Sequence, residues 1–283
     1  MKLQELLSKS YNILKQANIE TYMLDAQLLL GKIINKDKMF ILTNRHYHIN
    51  KEDEIEFLKL IELRKRKMPV KYILGNCEFM GIDFKIREGV LIPRPDTEIL
   101  VEAAIDDVKL NNYKNLCDVC CGSGVIALSI AKFLDNVEAQ CYDISSIACE
   151  VTLENIKLLK LENRVKVYKS DLLMLPKKQN KKFDILVSNP PYIKEKQINE
   201  LMDDVKLYEP YEALCGGEDG LYFYRKIVEQ SKYVLNKEGS IVFEIGYDQR
   251  EKVINILKNN GFKDIKCIKD LSGKDRVVKG KKY

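Results

Sequence analysis

Asn189, Pro190, Pro191 and Tyr192 follow directly on the apolar run Phe183-Asp184-Ile185-Leu186-Val187-Ser188. Two adjacent prolines end a strand and stiffen the backbone into an extended loop. An amide side chain precedes that loop and an aromatic ring follows it. The pattern suits a flat, neutral, nitrogen-bearing group. The Asn189 side-chain carbonyl and the Pro190 backbone carbonyl can accept two hydrogen bonds from one NH2, and the Tyr192 ring can stack on its plane. Taken alone, the same residues also describe a rigid turn between strand and helix.

A second constellation lies upstream. Asp118-Val119-Cys120-Cys121-Gly122-Ser123-Gly124 follows one expected strand and opens a helix. Glycines at such a turn let the backbone approach a ligand near a helix N-terminus. Asp143 ends the next strand, where a carboxylate can accept both hydroxyls of a ribose. Asp171 follows the strand after that and can bind an adenine amine. Three ligand-facing positions at three successive strand ends match the binding rule for open α/β sheets. Gly122, Gly124 and Ala127 also fit a loose G-x-G-x-x-A, so spacing by itself leaves a nicotinamide or flavin cofactor open; Asn189-Pro190-Pro191-Tyr192 weighs against one. No G-x-x-x-x-G-K-[ST] occurs, which disfavours a P-loop.

The elements that must hold these residues follow from patterning. Leu3, Leu6, Leu7, Tyr11 and Leu14 recur at helical spacing, as do Met23, Leu24, Leu28, Leu29 and Ile33. A third stripe, Ile55, Leu58 and Ile61 widened by Phe57 and Leu60, runs into Arg64-Lys65-Arg66-Lys67, expected as a solvated helix end, with a nucleic-acid contact as the alternative. Short runs around Phe79 and Phe84, with Gly81 between them, read as a hairpin. Asp96 or Thr97 is placed to cap an apolar helix reaching Val108. From residue 115 onward strand and helix alternate. Strands are expected at 115–120, 137–142, 164–169, 183–188, 240–245, 262–268 and 275–279, and helices near 125–134, 145–160, 219–235 and 248–259. This predicts an α/β fold: a Rossmann-like, mostly parallel sheet with an antiparallel edge.

Composition narrows the classes. The chain has 283 residues, 46% hydrophobic, and carries 47 Lys and Arg against 42 Asp and Glu, a net charge of +5. That mild bias is compatible with nucleic-acid or ribonucleoprotein partners without requiring them. No apolar run is long enough for a transmembrane helix, and the first residues lack a signal-peptide apolar stretch, so a cytoplasmic protein is expected. The eight cysteines, Cys117-Asp118-Val119-Cys120 among them, lack the further ligands of a zinc site and are expected reduced and mostly buried, with no metal. His46 and His48 are the two histidines, so chemistry after them must use amides, carboxylates, tyrosine, backbone or a cofactor.

Together these residues resemble class I methyltransferases that use S-adenosylmethionine and act on NH2 groups. Within that class the chain most resembles the peptide chain release factor glutamine methyltransferases (HemK-type). Ile92-Pro93-Arg94-Pro95-Asp96-Thr97-Glu98 and Ala213-Leu214-Cys215-Gly216-Gly217-Glu218-Asp219-Gly220-Leu221 belong to the resemblance. It implies a helical substrate-binding domain over 1–68, a hairpin linker over 69–92 and a methyltransferase domain over 93–283. It implies cofactor binding by Cys120, Cys121, Gly122, Ser123, Gly124, Asp143, Asp171, Leu172 and Asn189. It implies catalysis by Asn189, Pro190 and Tyr192, with substrate contacts from these, Pro191, Arg94 and Glu98; a structural ion pair is the equal alternative for Arg94 and Glu98. The implied reaction methylates the glutamine of the Gly-Gly-Gln loop in class I release factors, by a monomer with no membrane and no direct nucleic-acid partner. A ribosomal-protein glutamine or a DNA adenine are alternative acceptors, and a non-catalytic binding protein is the alternative from another class. Two positions depart from the family pattern. Cys120 stands where glycine is usual, crowding the methionine end of the cofactor or pointing into the core. Leu172 stands near where an aromatic often covers the adenine.

Overall fold

The computed structural model describes residues 1–283 and divides into two compact units, Met1–Asn76 with Met202–Tyr208, and Cys77–Leu201 with Glu209–Tyr283.

The first unit is helical, built on Leu3–Gln16, Tyr22–Ile34, Lys38–Thr43, Lys51–Lys65 and Val70–Leu74. Its core joins Leu3, Leu6, Leu14, Leu29, Leu30, Phe57 and Ile61. Two expected stripes are corrected. Met23, Leu24, Ile55 and Leu58 are exposed, and the buried faces are Asp25, Ala26, Leu29 and Leu30 on one helix and Glu54, Phe57, Ile61 and Arg64 on another. The polar members explain the shift: Arg64 Nε donates to Asp25 Oδ2 at 2.7 Å, so two charges cross the core as a pair. Arg64 is therefore not part of a solvated helix end. A buried pair of this kind is costly to break from one side. Helix Asp203–Tyr208, not foreseen from the sequence, joins this unit, and the Tyr208 hydroxyl donates to the Arg66 carbonyl at 2.6 Å.

A hairpin, β1 (Asn76–Phe79) and β2 (Ile82–Lys85), opens the second unit from Cys77 onward. Seven further strands form one sheet: β3 (Asn115–Val119), β4 (Glu138–Asp143), β5 (Val165–Lys169), β6 (Phe183–Ser188), β7 (Leu235–Glu244), β8 (Phe262–Lys269) and β9 (Asp275–Lys282). Their order is β5-β4-β3-β6-β7-β9-β8, parallel except for β9, which runs antiparallel to both neighbours. Alternate residues feed opposite faces: Ile185 and Val187 enter one apolar cluster with Leu100, Ala127 and Ile156, whereas Leu186 enters another with Tyr224, Val228 and Leu257. Period-two alternation with both faces apolar is what covering helices on both sides require. Those helices include Glu98–Asn111, Val125–Phe133 and Ser146–Leu159 on the first face and Tyr222–Val234 and Arg250–Asn259 on the second. The order reverses at β3, whose neighbours are β4 and β6, and the C-terminal ends of these strands form the crevice where open α/β sheets bind ligands. No helix is long and apolar enough to cross a membrane. Cys77, Cys117, Cys121 and Cys141 are buried; the other four cysteines are only half-buried, which corrects the expectation that most are buried.

Candidate active site

The turn after β3 is built from backbone. Cys120, Gly122 and Gly124 take φ of 60°, 57° and 80°, so the chain doubles back at the end of the strand. The Gly122 N–H donates to Asp143 Oδ2 at 2.9 Å, and the Ser145 N–H donates to Asp143 Oδ1 at 2.9 Å. The Ile144 N–H also faces this carboxylate, whose two oxygens offer about four acceptor directions in all, so acceptor capacity remains for a ligand. Burial raises the Asp143 pKa above its ordinary value, and the backbone donors oppose that rise. Helix Ser146–Leu159 braces the turn from below: Thr152 Oγ1 donates to the Gly122 carbonyl at 2.9 Å and Asn155 Nδ2 to the Ser123 carbonyl at 2.9 Å. Asp118 lies beneath, fully buried. Its Oδ2 accepts the Ala127 N–H at 3.2 Å, and burial pushes its carboxyl up to about 8.

The loop after β6 is held by distant side chains. Asn189 Nδ2 donates to Thr97 Oγ1 at 3.3 Å; Thr97 Oγ1 donates to Glu244 Oε2 at 2.6 Å; the Tyr192 hydroxyl donates to Glu244 Oε1 at 3.3 Å. Thr97 is thus not a helix cap through its side chain, as expected, because its hydroxyl serves Glu244 instead; Asp96 pairs with Arg276 at 2.9 Å. Gln249 Nε2 donates to the Tyr192 carbonyl at 3.0 Å. The stretch Ala213–Leu221 completes the brace: the Ile193 N–H donates to the Leu214 carbonyl at 3.0 Å and the Gly216 N–H to the Ile193 carbonyl at 2.8 Å. A Cβ on Gly216 would stand 2.7 Å from Tyr192 Cα, so only glycine lets the two strands of chain approach.

Between turn and loop lies a cavity of about 250 Å³. Of the residues singled out in the sequence, Arg94, Cys120, Cys121, Gly122, Ser123, Asp143, Asp171, Leu172, Asn189 and Pro191 line it. Gly124, Pro190, Tyr192 and Glu98 do not. Gly124 packs under the turn, where a Cβ would meet Thr152 Cγ2 at 2.8 Å. Glu98 Oε1 accepts the Met80 N–H at 2.8 Å, which ties the hairpin to helix Glu98–Asn111. Arg94 is both cavity wall and ion pair, donating to Glu209 Oε1 at 2.6 Å. Cys120 both reaches the cavity wall and packs against the core cluster beneath it, half-buried, its thiol pushed well above the ordinary range by burial and by Asp143.

The cavity wall also includes residues the sequence did not single out: Val90, Thr97, Tyr142, Ile144, Ala148 and Phe223. Thr97 was legible only as a cap. Tyr142 had a signal in its place beside Asp143. Phe223, an aromatic on the wall near aliphatic Leu172, comes from a helix start remote in sequence and had none.

Comparison with known proteins identifies relatives of the whole chain. The family described as Methyltransferase small domain matches residues 95–206, and that described as PrmC N-terminal domain matches residues 5–75. The chain is 58% identical over all 283 residues, covering 100% of both proteins, to a release factor glutamine methyltransferase of Clostridium botulinum. It is 53% identical to the protein of that name from Clostridium acetobutylicum, covering 98% of each. Among solved structures, the hMettl16 catalytic domain in complex with MAT2A 3'UTR hairpin 6 superposes with a TM-score of 0.58 over 83% of each chain at 14% identity, a likeness of fold.

Proposed function

The chain belongs to the release factor glutamine methyltransferase family, and on that premise we propose that it methylates the side-chain amide nitrogen of the Gly-Gly-Gln glutamine in class I peptide chain release factors, with S-adenosylmethionine as methyl donor. The observation that carries the reading is the Asn189 amide. Its Nδ2 is committed to Thr97, while Oδ1 and the Pro190 carbonyl accept no hydrogen bond from the protein. Both carbonyls belong to the loop at the end of β6, Asn189 on the cavity wall and Pro190 the next residue, and such a pair of acceptors suits one NH2 group.

The cavity fits the donor by its own chemistry. Asp143 retains acceptor capacity for ribose hydroxyls, Asp171 and Leu172 offer an acceptor and an apolar face for adenine, and the left-handed turn Cys120–Ser123 leaves room for the methionine end. When bound, S-adenosylmethionine supplies a methyl group made electrophilic by its sulfonium.

The residues then have separate tasks. Asn189 Oδ1 and the Pro190 carbonyl hold the two N–H groups of the glutamine amide and aim its nitrogen. An amide nitrogen is a poor nucleophile because its lone pair is delocalised, so orientation matters; it can supply up to about 7–11 kcal/mol. The same carbonyls stabilise positive charge growing on that nitrogen. As the methyl–nitrogen bond forms, the donor's methyl–sulfur bond would break with its electron pair left on sulfur, and the extra proton would then pass from nitrogen to solvent, so no strong base is needed. Pro191 stiffens the loop, and Tyr192, tethered through its hydroxyl to Glu244, holds the ring that flanks the amide. Arg94 lines the substrate's approach. On this reading the enzyme is a cytoplasmic monomer. Residues 1–68 engage the release factor, 69–92 link, and 93–283 carry the transfer, without direct contact to nucleic acid.

Incubation with methyl-labelled S-adenosylmethionine and a class I release factor tests the assignment. Label is expected on the intact factor and absent when the Gly-Gly-Gln glutamine is replaced. Label on ribosomes or adenine-rich DNA run in parallel, with none on the factor, would overturn it.

A further inference from the structure

Asn189 presents an amide, and an amide has two unlike edges. The oxygen edge accepts and the nitrogen edge donates. The reading above needs the oxygen edge toward the methyl acceptor; the inference here rests on that reading. Nothing local to Asn189-Pro190-Pro191-Tyr192 decides the edge, because a half-turn about the last side-chain bond exchanges the two at almost no steric cost.

The neighbouring hydrogen bonds decide it. Glu244, on β7, is 1% exposed, and its carboxylate only accepts when ionised. Thr97 Oγ1 stands 2.6 Å from its Oε2, so the single hydroxyl hydrogen of Thr97 is committed there. Thr97 then offers Asn189 lone pairs alone. Only the Nδ2 edge can meet them, at 3.3 Å, and Oδ1 is left facing the other way. The second oxygen of the same carboxylate takes the Tyr192 hydroxyl at 3.3 Å. One buried carboxylate therefore addresses both Asn189 and Tyr192 across 147 residues of chain from Thr97 and 52 from Tyr192.

The surroundings pull on that carboxylate in both directions: burial disfavours its charge most strongly, and the Thr97 and Tyr192 hydroxyls and Arg276 partly offset it. Arg276 on β9 faces it and is itself paired with Asp96 at 2.9 Å and Asp270 at 3.1 Å. Asp96, in the short helix Pro95–Thr97, acts against ionisation, as burial does. Helix Tyr222–Val234 contributes Tyr224, whose hydroxyl donates to the Glu244 backbone carbonyl and leaves the carboxylate alone. The balance of these effects sets the Glu244 pKa at about 6, so the carboxylate is ionised near neutral pH. Protonation would turn one oxygen into a donor, free the Thr97 hydrogen and let the amide turn over.

We propose that Glu244 is a positioning residue for methyl transfer: through the Thr97 hydroxyl it selects which edge of the Asn189 amide faces the acceptor nitrogen, and through the Tyr192 hydroxyl it fixes the adjacent ring.

The deciding pair is Thr97→Val and Thr97→Ser, assayed in the full chain with labelled S-adenosylmethionine and a class I release factor. Valine keeps the shape and removes the hydroxyl. It is expected to lower kcat about 30-fold, with KM for the release factor and Kd for S-adenosylhomocysteine within about threefold of the parent. Thr97→Ser should recover most of that loss. Glu244→Gln should cost clearly less in the Thr97→Val background than alone, because much of its effect passes through the same hydroxyl. The parent's kcat should fall on the acid side near pH 6, and this limb should be missing in Glu244→Gln. Thr97→Val as active as Thr97→Ser would overturn the proposal, and does so even where Glu244→Gln fails to fold. An Asn189→Ala enzyme of parental kcat would instead bring down the reading of Asn189 itself, and with it any positioning of that residue.

Discussion

The turn after β3 and the loop after β6 sit at neighbouring strand ends and face one cavity, yet they are held in opposite ways. The turn is gripped by its main chain, and only from the next strand and helix: the Gly122 N–H donates to Asp143, and Thr152 and Asn155 donate to the Gly122 and Ser123 carbonyls, all within 21 to 32 residues. The loop is held by side chains from remote elements: Thr97, Glu244, Gln249 and the close-packed Gly216. A backbone cradle tolerates many side chains and suits a ligand that is always the same. A side-chain relay carries directional information, which an amide needs because its two edges differ.

The widest separation of the two is expected from Asn189→Ala. It should lower kcat about 10³-fold while the Kd for S-adenosylhomocysteine moves only a few-fold, the cost of losing one preorganised acceptor. An equal loss in cofactor affinity would show that loop and turn are one site rather than two. The converse variant, Asp143→Ala, should raise that Kd about 100-fold, as expected for two charge-assisted hydrogen bonds lost to ribose. Its kcat at saturating donor should stay within about fivefold. Gly216→Ala probes the packing under the loop. Its Cβ would lie 2.7 Å from Tyr192 Cα and 2.8 Å from the Pro191 carbonyl, so about 2 kcal/mol of stability should be lost, read from denaturant midpoints.

The electrostatic contrast is testable by pH. Burial raises Glu244 from 4.5 to about 6 in the folded chain, so the native state binds this proton more tightly than the unfolded state. Its contribution to stability is therefore full below pH 4.5 and is lost as pH rises through about 6, a change of about 2 kcal/mol. Glu244→Gln should gain stability relative to the parent by that amount between pH 4 and pH 7, in unfolding titrations at each pH. A difference independent of pH would mean that the carboxylate is not buried as described. The smallest effect belongs to the turn. Cys120 holds φ of 60°, a conformation that costs a residue with a side chain about 1 kcal/mol. Cys120→Gly should leave the thermal midpoint within a few degrees, because relief of strain is offset by the freer unfolded chain, and should leave or improve cofactor affinity.

Much of this was legible without coordinates, for reasons particular to each part. The strand from Phe183 to Ser188 reads as buried because both its faces are apolar, and the prolines that follow it mark its end. Asp143 was legible because it ends a strand one crossover beyond a glycine turn, a spacing set by strand and helix lengths. Leu28, Met23 and Ile55 misled because helical periodicity tolerates several faces when apolar residues are dense. The true seam held Asp25 and Arg64, which no apolar pattern can place, since only a partner across the core makes a buried charge acceptable.

The sequence by itself determined the alternation of strand and helix, the parallel sheet that alternation demands, and the positions of the turn and the proline loop. Each depends on contacts within a few residues or on a short repeat. Tertiary structure alone decided that Thr97, Asn189, Tyr192 and Glu244 form one hydrogen-bonded chain, and which edge of the amide it leaves open. Hydrogen bonds need partners within about 3 Å and the right sense of donation, and neither distance nor sense across a hundred residues is written in their order along the chain.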